Sequence, residues 1–391
     1  MGGLIAVLRR YDDDNKARSH HVLERMLSQF RSRSTDPKPL SIGVLGVGNI
    51  GMVHLKSALA MPGVEVLAAA DAVPENRARA ERAGVDRTYD DYAGLLAAEE
   101  LDAAVVALPP FLHAEAVERA AEYGIDVFVE KPLARSTEEA DRMLETAERA
   151  GIAVGVDHTL RYQPDMVGVK SAYEEGGVGH VPYASITRLN DGPLGRPPAD
   201  AAPPSWPLDP NAVGGGSLLE LGVHCFDVLE WLFGELEVRD ATISRTLEIP
   251  VEDAATVLMR APETETTITL HCGSYQWEEL PEVNTRLRLE GITGTITNRD
   301  HLPEHFYADA ARAALENVAS RVGGERTVFG PTFYLRAHYD ALADFCEAIR
   351  SDEEPPVDGR DGRRSLALAE TAYELAAETV DEDVEVPEVR P

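Results

Sequence analysis

Lysine is scarce in this chain: Lys16, Lys38, Lys56, Lys131 and Lys170 are the only five in 391 residues. Lysine and arginine together number 37 against 68 acids, for a net charge of −31. So negative a field repels nucleic acid and anionic membranes. Cysteine is as sparse. Cys225, Cys272 and Cys346 stand at unrelated spacings, which gives neither a disulfide framework nor a zinc pattern and implies free thiols in a cytoplasm. No apolar run approaches the length needed to cross a membrane. The opening GGLIAVL is only seven residues long, with Arg9 and Arg10 after it rather than before, so it reads as a poor signal peptide. The acid excess fits an ordinary soluble acidic protein or, the reading favoured here, a halophilic one whose self-repulsion is screened by salt.

What is present begins with Ser41–Gly51, SIGVLGVGNIG. Ile42, Val44 and Leu45 form a short apolar run that predicts a buried parallel strand. Gly46, Gly48 and Gly51 follow as G-x-G-x-x-G, and apolar residues at helical spacing continue from Asn49 to Met61. Gly46 suits a tight turn, Gly48 close approach of a pyrophosphate, and Gly51 close packing of helix on sheet. The helix N-terminus offers unpaired N–H groups to an anion. A second strand, Val64–Ala70, ends at Asp71, 20 residues beyond Gly51, where an acid can accept bonds from an adenosine ribose. That acid would repel a 2′-phosphate, so NAD is expected over NADP, although Arg77 lies six residues further on.

From Leu40 to about Val156 strands and helices alternate, which predicts a doubly wound parallel sheet with ligands at its carboxyl edge. Residues Gly46, Asp71, Pro109 and Lys131 should share that edge. After Tyr162 the pattern changes. A proline-rich loop, Asp191–Gly215, precedes an apolar helix, Gly216–Phe233, and then a series of strands without intervening helices. That series predicts a mainly antiparallel sheet, with the helix covering one face and a partner subunit the other. Two helices close the chain near Leu335–Ile349 and Arg363–Glu378. The expected layout is an extension or linker over residues 1–39, a nucleotide-binding domain over 40–157, a substrate-binding and oligomerisation domain over 158–378, and an acidic tail over 379–391. Within the extension, His21–Phe30 has the apolar spacing of a short helix.

Three groups of residues carry chemical potential. Glu130-Lys131-Pro132 ends a strand at the ligand edge, where the Lys131 ammonium can bond a substrate hydroxyl; a surface lysine before a turn is the plainer alternative. Glu220, His224 and Asp227 share a face of the apolar helix at i, i+4 and i+7. There an imidazole suits a general base and a carboxylate can orient it. No further ligand cluster accompanies Glu220 and His224, so no metal is expected. In Asp157–Tyr162, Arg161 would bind substrate oxygens or pair with a carboxylate. His113 would help bind the cofactor or cap its helix.

These motifs, GVGNIG, PPFLHAEAV, VEKPLA and GGGSLLELGVHCFDVLEWLFG in that order, resemble the glucose–fructose oxidoreductase / inositol dehydrogenase / MocA family from Leu40 to Glu378. The resemblance implies a Rossmann domain followed by a C-terminal α/β domain with a large open sheet that pairs subunits, as a homodimer or homotetramer. It implies hydride transfer with NAD(H) or NADP(H) at a secondary hydroxyl of a sugar, sugar derivative or cyclitol. Relatives also include NAD-retaining enzymes that cleave glycosides without net redox change, and regulators without turnover. Lys131 and His224 match the family's proton-handling pair, and the Lys131–Pro132 bond matches one that is often cis. The expected cofactor contacts are Gly46, Gly48, Asn49, Ile50, Gly51, Asp71, Pro109, His113, Glu130 and Lys131, and Glu220, Arg161 and Asp227 are expected to position the substrate. The chain departs from the pattern at Glu220, where the family has aspartate. It departs again at Leu108 and Pro110, where the family has threonine and asparagine.

Overall fold

The computed structural model describes residues 38–190, 206–275, 285–302 and 333–380. The expected helix at His21–Phe30, most of the loop Asp191–Gly215 and most of the acidic tail lie outside these residues. The first sheet is built from β1 (Leu40–Leu45), β2 (Val64–Ala70), β3 (Thr88–Tyr89), β4 (Ala103–Val106), β5 (Asp126–Val129) and β6 (Val154–Val156), in the order β3-β2-β1-β4-β5-β6. Every pairing in it is parallel. Helices α1 (Asn49–Ala60), α2 (Pro74–Ala83), α3 (Tyr92–Ala98), α4 (His113–Glu122) and α5 (Thr137–Ala150) alternate with the strands. The order reverses at β1, so the loop after β1 opens at the switch point where doubly wound sheets bind ligands.

Local chemistry sets the helix ends. Asp91 caps α3 by accepting from the N–H groups of Ala93 and Gly94, and the Ser136 hydroxyl caps α5 by accepting from Glu139. Such caps each contribute about 1 kcal/mol.

After α6 (Pro164–Glu174), a second sheet forms from β7 (Tyr183–Leu189), β8 (Glu237–Ser244), β9 (Ala254–Ala261), β10 (Thr266–Gly273), β11 (Thr285–Glu290) and β12 (Thr295–Thr297). Its order is β12-β11-β7-β10-β9-β8. All its pairings are antiparallel except that of β7 with β10. Alternate residues such as Val257, Met259, Ile268, Leu270, Leu287 and Leu289 turn inward and are buried. They face α8 (Val223–Phe233) and α10 (Gly359–Val380), which share their apolar cluster. The other face carries Thr256, Leu258 (39% exposed), Arg260, Thr267 and Thr269.

Two features differ from the sequence expectation. The stretch read as a loop up to Gly215 contains a short helix, α7 (Pro210–Val213), whose N-terminus Asp209 caps. Residues 210–233 are also long and apolar enough to span a membrane by length and composition, but 78% of the apolar window is buried inside the protein. Its hydrophobic character serves the core.

Helix α9 (Phe333–Arg350) returns to the first sheet. Its Ala341, Leu342, Phe345 and Cys346 join Ile42, Val44, Leu55 and Phe128 in a second apolar cluster.

The loop after β1 is tight. Gly46 has φ +84°, and a methyl group on Gly51 would lie 2.0 Å from the Gly46 carbonyl oxygen. Gly51→Ala should therefore lower stability by about 1–3 kcal/mol, the usual cost of forced overpacking, read by urea titration. An unchanged midpoint would show that the loop can yield.

Candidate active site

The glycine loop has one open position. A Cβ built on Gly48 meets nothing within 4 Å, whereas Gly46 and Gly51 are packed closely against backbone. Asn49 is exposed and Gly48 and Ile50 are half-buried, so the lip of α1 faces outward. The helix N-terminus has no side-chain cap, which leaves N–H groups available to an anion. Asp71 lies beside this lip: its Oδ2 accepts from the Val47 N–H at 2.9 Å and its Oδ1 from the Val73 N–H at 2.8 Å. Arg77 donates to the Asp71 main-chain carbonyl at 2.7 Å. A cradle without a side chain, a bare helix end and an adjacent acid fit a dinucleotide.

The strand end of β5 and the helix of the second sheet meet at Lys131. The Lys131–Pro132 bond is cis, and Lys131 Nζ donates to the carbonyl oxygen of Glu220 at 3.0 Å. The helix expected as one α-helix over Gly216–Phe233 instead opens with a π turn, Leu218–Gly222, before α8 begins. A π turn widens the helix locally and is frequent at functional sites. Here it carries the carbonyl that receives Lys131. Glu252 fixes its start. The Glu252 carboxylate accepts from the N–H groups of Gly216 (2.7 Å) and Leu218 (3.0 Å) and from the Tyr373 hydroxyl (2.6 Å). A side chain on Gly216 would collide with Glu252, 2.0 Å from its carbonyl oxygen.

His224 follows directly in α8 and is buried. Burial, then the charges of Lys131 and Arg188, hold its pKa well below the ordinary value. It is therefore a neutral imidazole at neutral pH, able to accept a proton. Glu220 Oε1 accepts from Asn190 at 3.3 Å.

Arg161 and Asp227 meet each other. Arg161 Nε and Nη2 donate to the two oxygens of Asp227 at 2.8 and 2.6 Å, and Asp361 stands 3.2 Å from the same guanidinium. Asp227 is fully buried, so this bidentate pair ties the segment after β6 to α8 and α10. His113 is likewise engaged with backbone: Nε2 lies 2.8 Å from the Leu108 carbonyl and Nδ1 3.0 Å from that of Pro132. It braces the turn that carries Lys131. Pro109 precedes the short turn Pro110–Leu112 that leads into α4.

The sequence reading missed a buried cluster behind Lys131. His54 on α1 lies 2.7 Å from Glu130 Oε1 and 3.4 Å from Asp157 Oδ2, and His338 on α9 lies 2.6 Å from the same Asp157 oxygen. The ligand-type atoms of all four lie within 4.8 Å of one another. Short hydrogen bonds already join the pairs. Glu130 Oε2 accepts from the Lys131 N–H at 3.1 Å, so the cluster reaches the lysine's own backbone. Its only sequence trace is a histidine among the apolar residues of α1.

Burial opposes a charge on His54, but the hydrogen bonds and charges of Asp157 and Glu130 outweigh it and push its pKa up to about 10. Burial also opposes ionisation of Asp157, yet the two histidines hold it well below the usual carboxylate range. A raised histidine value stabilises the fold fully below the ordinary value near 6.5, and that contribution drains away as pH climbs through about 10. The free energy of unfolding should thus fall from pH 6.5 to 10 more steeply in the wild type than in His54→Gln. Parallel denaturant curves for the two proteins across that window would contradict the charged cluster.

Comparison with known proteins agrees with this geometry. The family model described as an oxidoreductase family with an NAD-binding Rossmann fold, Gfo/Idh/MocA, matches residues 40–158, and that of the Gfo/Idh/MocA C-terminal domain matches residues 166–297. D-apiose dehydrogenase of Paraburkholderia graminis is 28% identical over 88% of this chain and 90% of its own. Myo-inositol 2-dehydrogenase of Thermotoga maritima is 28% identical over 85% of this chain and 95% of its own. Among solved structures, an oxidoreductase from Agrobacterium radiobacter in complex with NAD+, L-tartaric acid and magnesium shares the fold with a TM-score of 0.72 at 21% identity, over 87% of this chain and 97% of that one. The WlbA dehydrogenase of Bordetella pertussis, with NADH and UDP-GlcNAcA, gives 0.70 at 24% identity over 88% and 98%. With both halves of one family matched in order along the sequence, the chain belongs to the Gfo/Idh/MocA family of oxidoreductases.

Proposed function

We propose that the enzyme transfers hydride between NAD and a carbon bearing a secondary hydroxyl on a sugar, sugar derivative or cyclitol. The observation that carries this reading is the approach of Lys131 to the turn preceding His224, beside the edge where the glycine loop opens. The names of the relatives, D-apiose and myo-inositol dehydrogenases, support the substrate class.

When bound, the nicotinamide supplies the site that accepts or gives hydride. The chain's residues handle the rest. His224, neutral and enclosed, takes the hydroxyl proton as the carbon is oxidised and returns it in the reverse direction. Lys131, held by the Glu220 carbonyl, keeps two further N–H donors for the substrate oxygen and offsets negative charge as it develops. Glu220 positions the substrate from the π turn. Arg161 and Asp227 hold the walls together through their mutual pair. Asp71 takes the adenosine ribose and favours NAD over its phosphorylated counterpart.

Two further readings accompany this one. The outer face of the second sheet presents Thr256, Leu258, Arg260, Thr267, Thr269, His271, Arg286 and Arg288. Acids share that face, Asp240 opposite Leu258 and Glu290 paired with Arg288, so it offers charges of both signs to a contact between copies in a homodimer or homotetramer. The acid excess suits a cytoplasm rich in salt, where charge repulsion is screened.

Lys131→Met and His224→Ala should each reduce kcat by about 10²–10⁴-fold, the range for an acid–base group, with NAD binding retained. Near wild-type turnover in both would refute the assignment. In a KCl series, light scattering should give a multiple of the 42.5 kDa chain and the melting temperature should rise with salt. A monomer at every concentration would reject the sheet interface, and a flat melting curve the salt adaptation.

A further inference from the structure

Arg188 is a buried cation with almost nothing to pair with. It lies on β7 in register with Cys272 of β10 and Thr285 of β11. Like Ala184 and Ile186 it is on the buried face of the strand, the face that carries the catalytic helix. It is only 5% exposed. Of the five N–H donors of a guanidinium, one Nη1 bond goes to Thr285 Oγ1 at 2.7 Å. Its Nε is buried without a hydrogen-bond partner. Among the described residues its side-chain hydrogen bond goes to a neutral hydroxyl and not to a carboxylate.

The acids at the π turn bond neutral donors and not this guanidinium. Glu252 holds Gly216, Leu218 and Tyr373, and Glu220 Oε1 meets Asn190. The nearby thiols do not help: burial pushes Cys225 up to about 12 against the pull of Arg188, so it stays neutral. A charge removed from water without a counter-ion is unfavourable unless something else supplies one.

The position of Arg188 suggests what supplies it. Just past the end of β7, Asn190 donates to Glu220. A Cβ built on Gly222 would lie 3.6 Å from Cys272 Sγ, which places the row containing Arg188 directly beneath the π turn. His224 also feels the charge of Arg188. The cation thus lies under the wall that holds the proposed general base.

We propose that Arg188 is the counter-charge for a carboxylate on the substrate, so that the enzyme prefers an acidic sugar of the uronate or aldonate class to a neutral sugar or polyol. This rests on the dehydrogenase reading of the same site. A planar carboxylate accepts two parallel bonds from a guanidinium and needs less room than a hydrated phosphate.

The test uses the NAD-loaded enzyme at one fixed KCl concentration. The pairs are glucose and glucuronate, galactose and galacturonate, and sorbitol and gluconate, with glucose 6-phosphate as a separate arm. Turnover is read by nicotinamide absorbance and binding to the enzyme–NADH complex by nicotinamide fluorescence. At least one acid should exceed its neutral partner by about tenfold or more in kcat/KM or affinity, since tenfold is about 1.4 kcal/mol. Arg188→Met should bring that ratio to about one, raising KM for the acid by about 30-fold or more, and Arg188→Lys should keep part of the preference. Should Arg188→Met not fold, the wild-type ratios and Arg188→Lys decide the matter. Neutral members equal to or better than acids in every pair, or preference for the phosphate alone, would overturn the carboxylate assignment while leaving the dehydrogenase reading intact. Turnover of no member by NADH-binding enzyme would remove that reading and this inference with it.

Discussion

One hydrogen bond joins the two sheets at the place where the proposed chemistry occurs: Lys131 Nζ to the Glu220 carbonyl at 3.0 Å. The donor ends a strand of the parallel sheet and the acceptor belongs to a helix of the antiparallel one. The accepting carbonyl lies in the π turn that opens the helix, and Glu252 and Tyr373 hold the entrance to that turn. The chain thus sets a mobile four-carbon ammonium by fixing its acceptor. Removing any support of that turn would act on the lysine from a distance.

Behind Lys131 the same logic is repeated with charge. His54 stands on the helix that begins at the glycine loop, Glu130 and Asp157 end two adjacent strands, and His338 arrives from α9. The protonated imidazole between two carboxylates links the cofactor-side helix to the residue that accepts from the Lys131 N–H. Removing one partner of such a buried cluster is costly, because it leaves a charge without compensation in the interior. Loop, strand ends and α9 are therefore tied through one cluster.

Much of this was legible in the sequence because it rests on local patterns. The alternation of apolar runs and helical spacing from Leu40 to Val156 gave the parallel sheet. The spacing of Gly46, Gly48 and Gly51 gave the turn, since backbone geometry at glycine is local. Lys131 and His224 could be singled out by their surroundings. What escaped depends on partners far apart along the chain. The sequence left open whether Arg161 pairs with a carboxylate, and no periodicity names Asp227, 66 residues away, as the partner. His54 and His338 meet around Asp157 through two separate crossovers. A π turn differs from an α-helix by one residue of phase, which apolar spacing cannot resolve in a helix that is hydrophobic nearly all round. Arg188 sits in a strand of ordinary alternation, and only its burial without a counter-ion distinguishes it.

The return of α9 to the first sheet bears on how the protein is made. Phe345 lies against Phe128 with ring centroids 5.4 Å apart, so one face of the nucleotide-binding sheet is completed by residues near the end of the chain. During synthesis that face emerges from the ribosome long before its cover does. At a ribosomal pace of roughly 5–20 residues per second, the nascent sheet waits many seconds with an apolar surface open to water, an interval in which a chaperone or the chain's own second half must shield it.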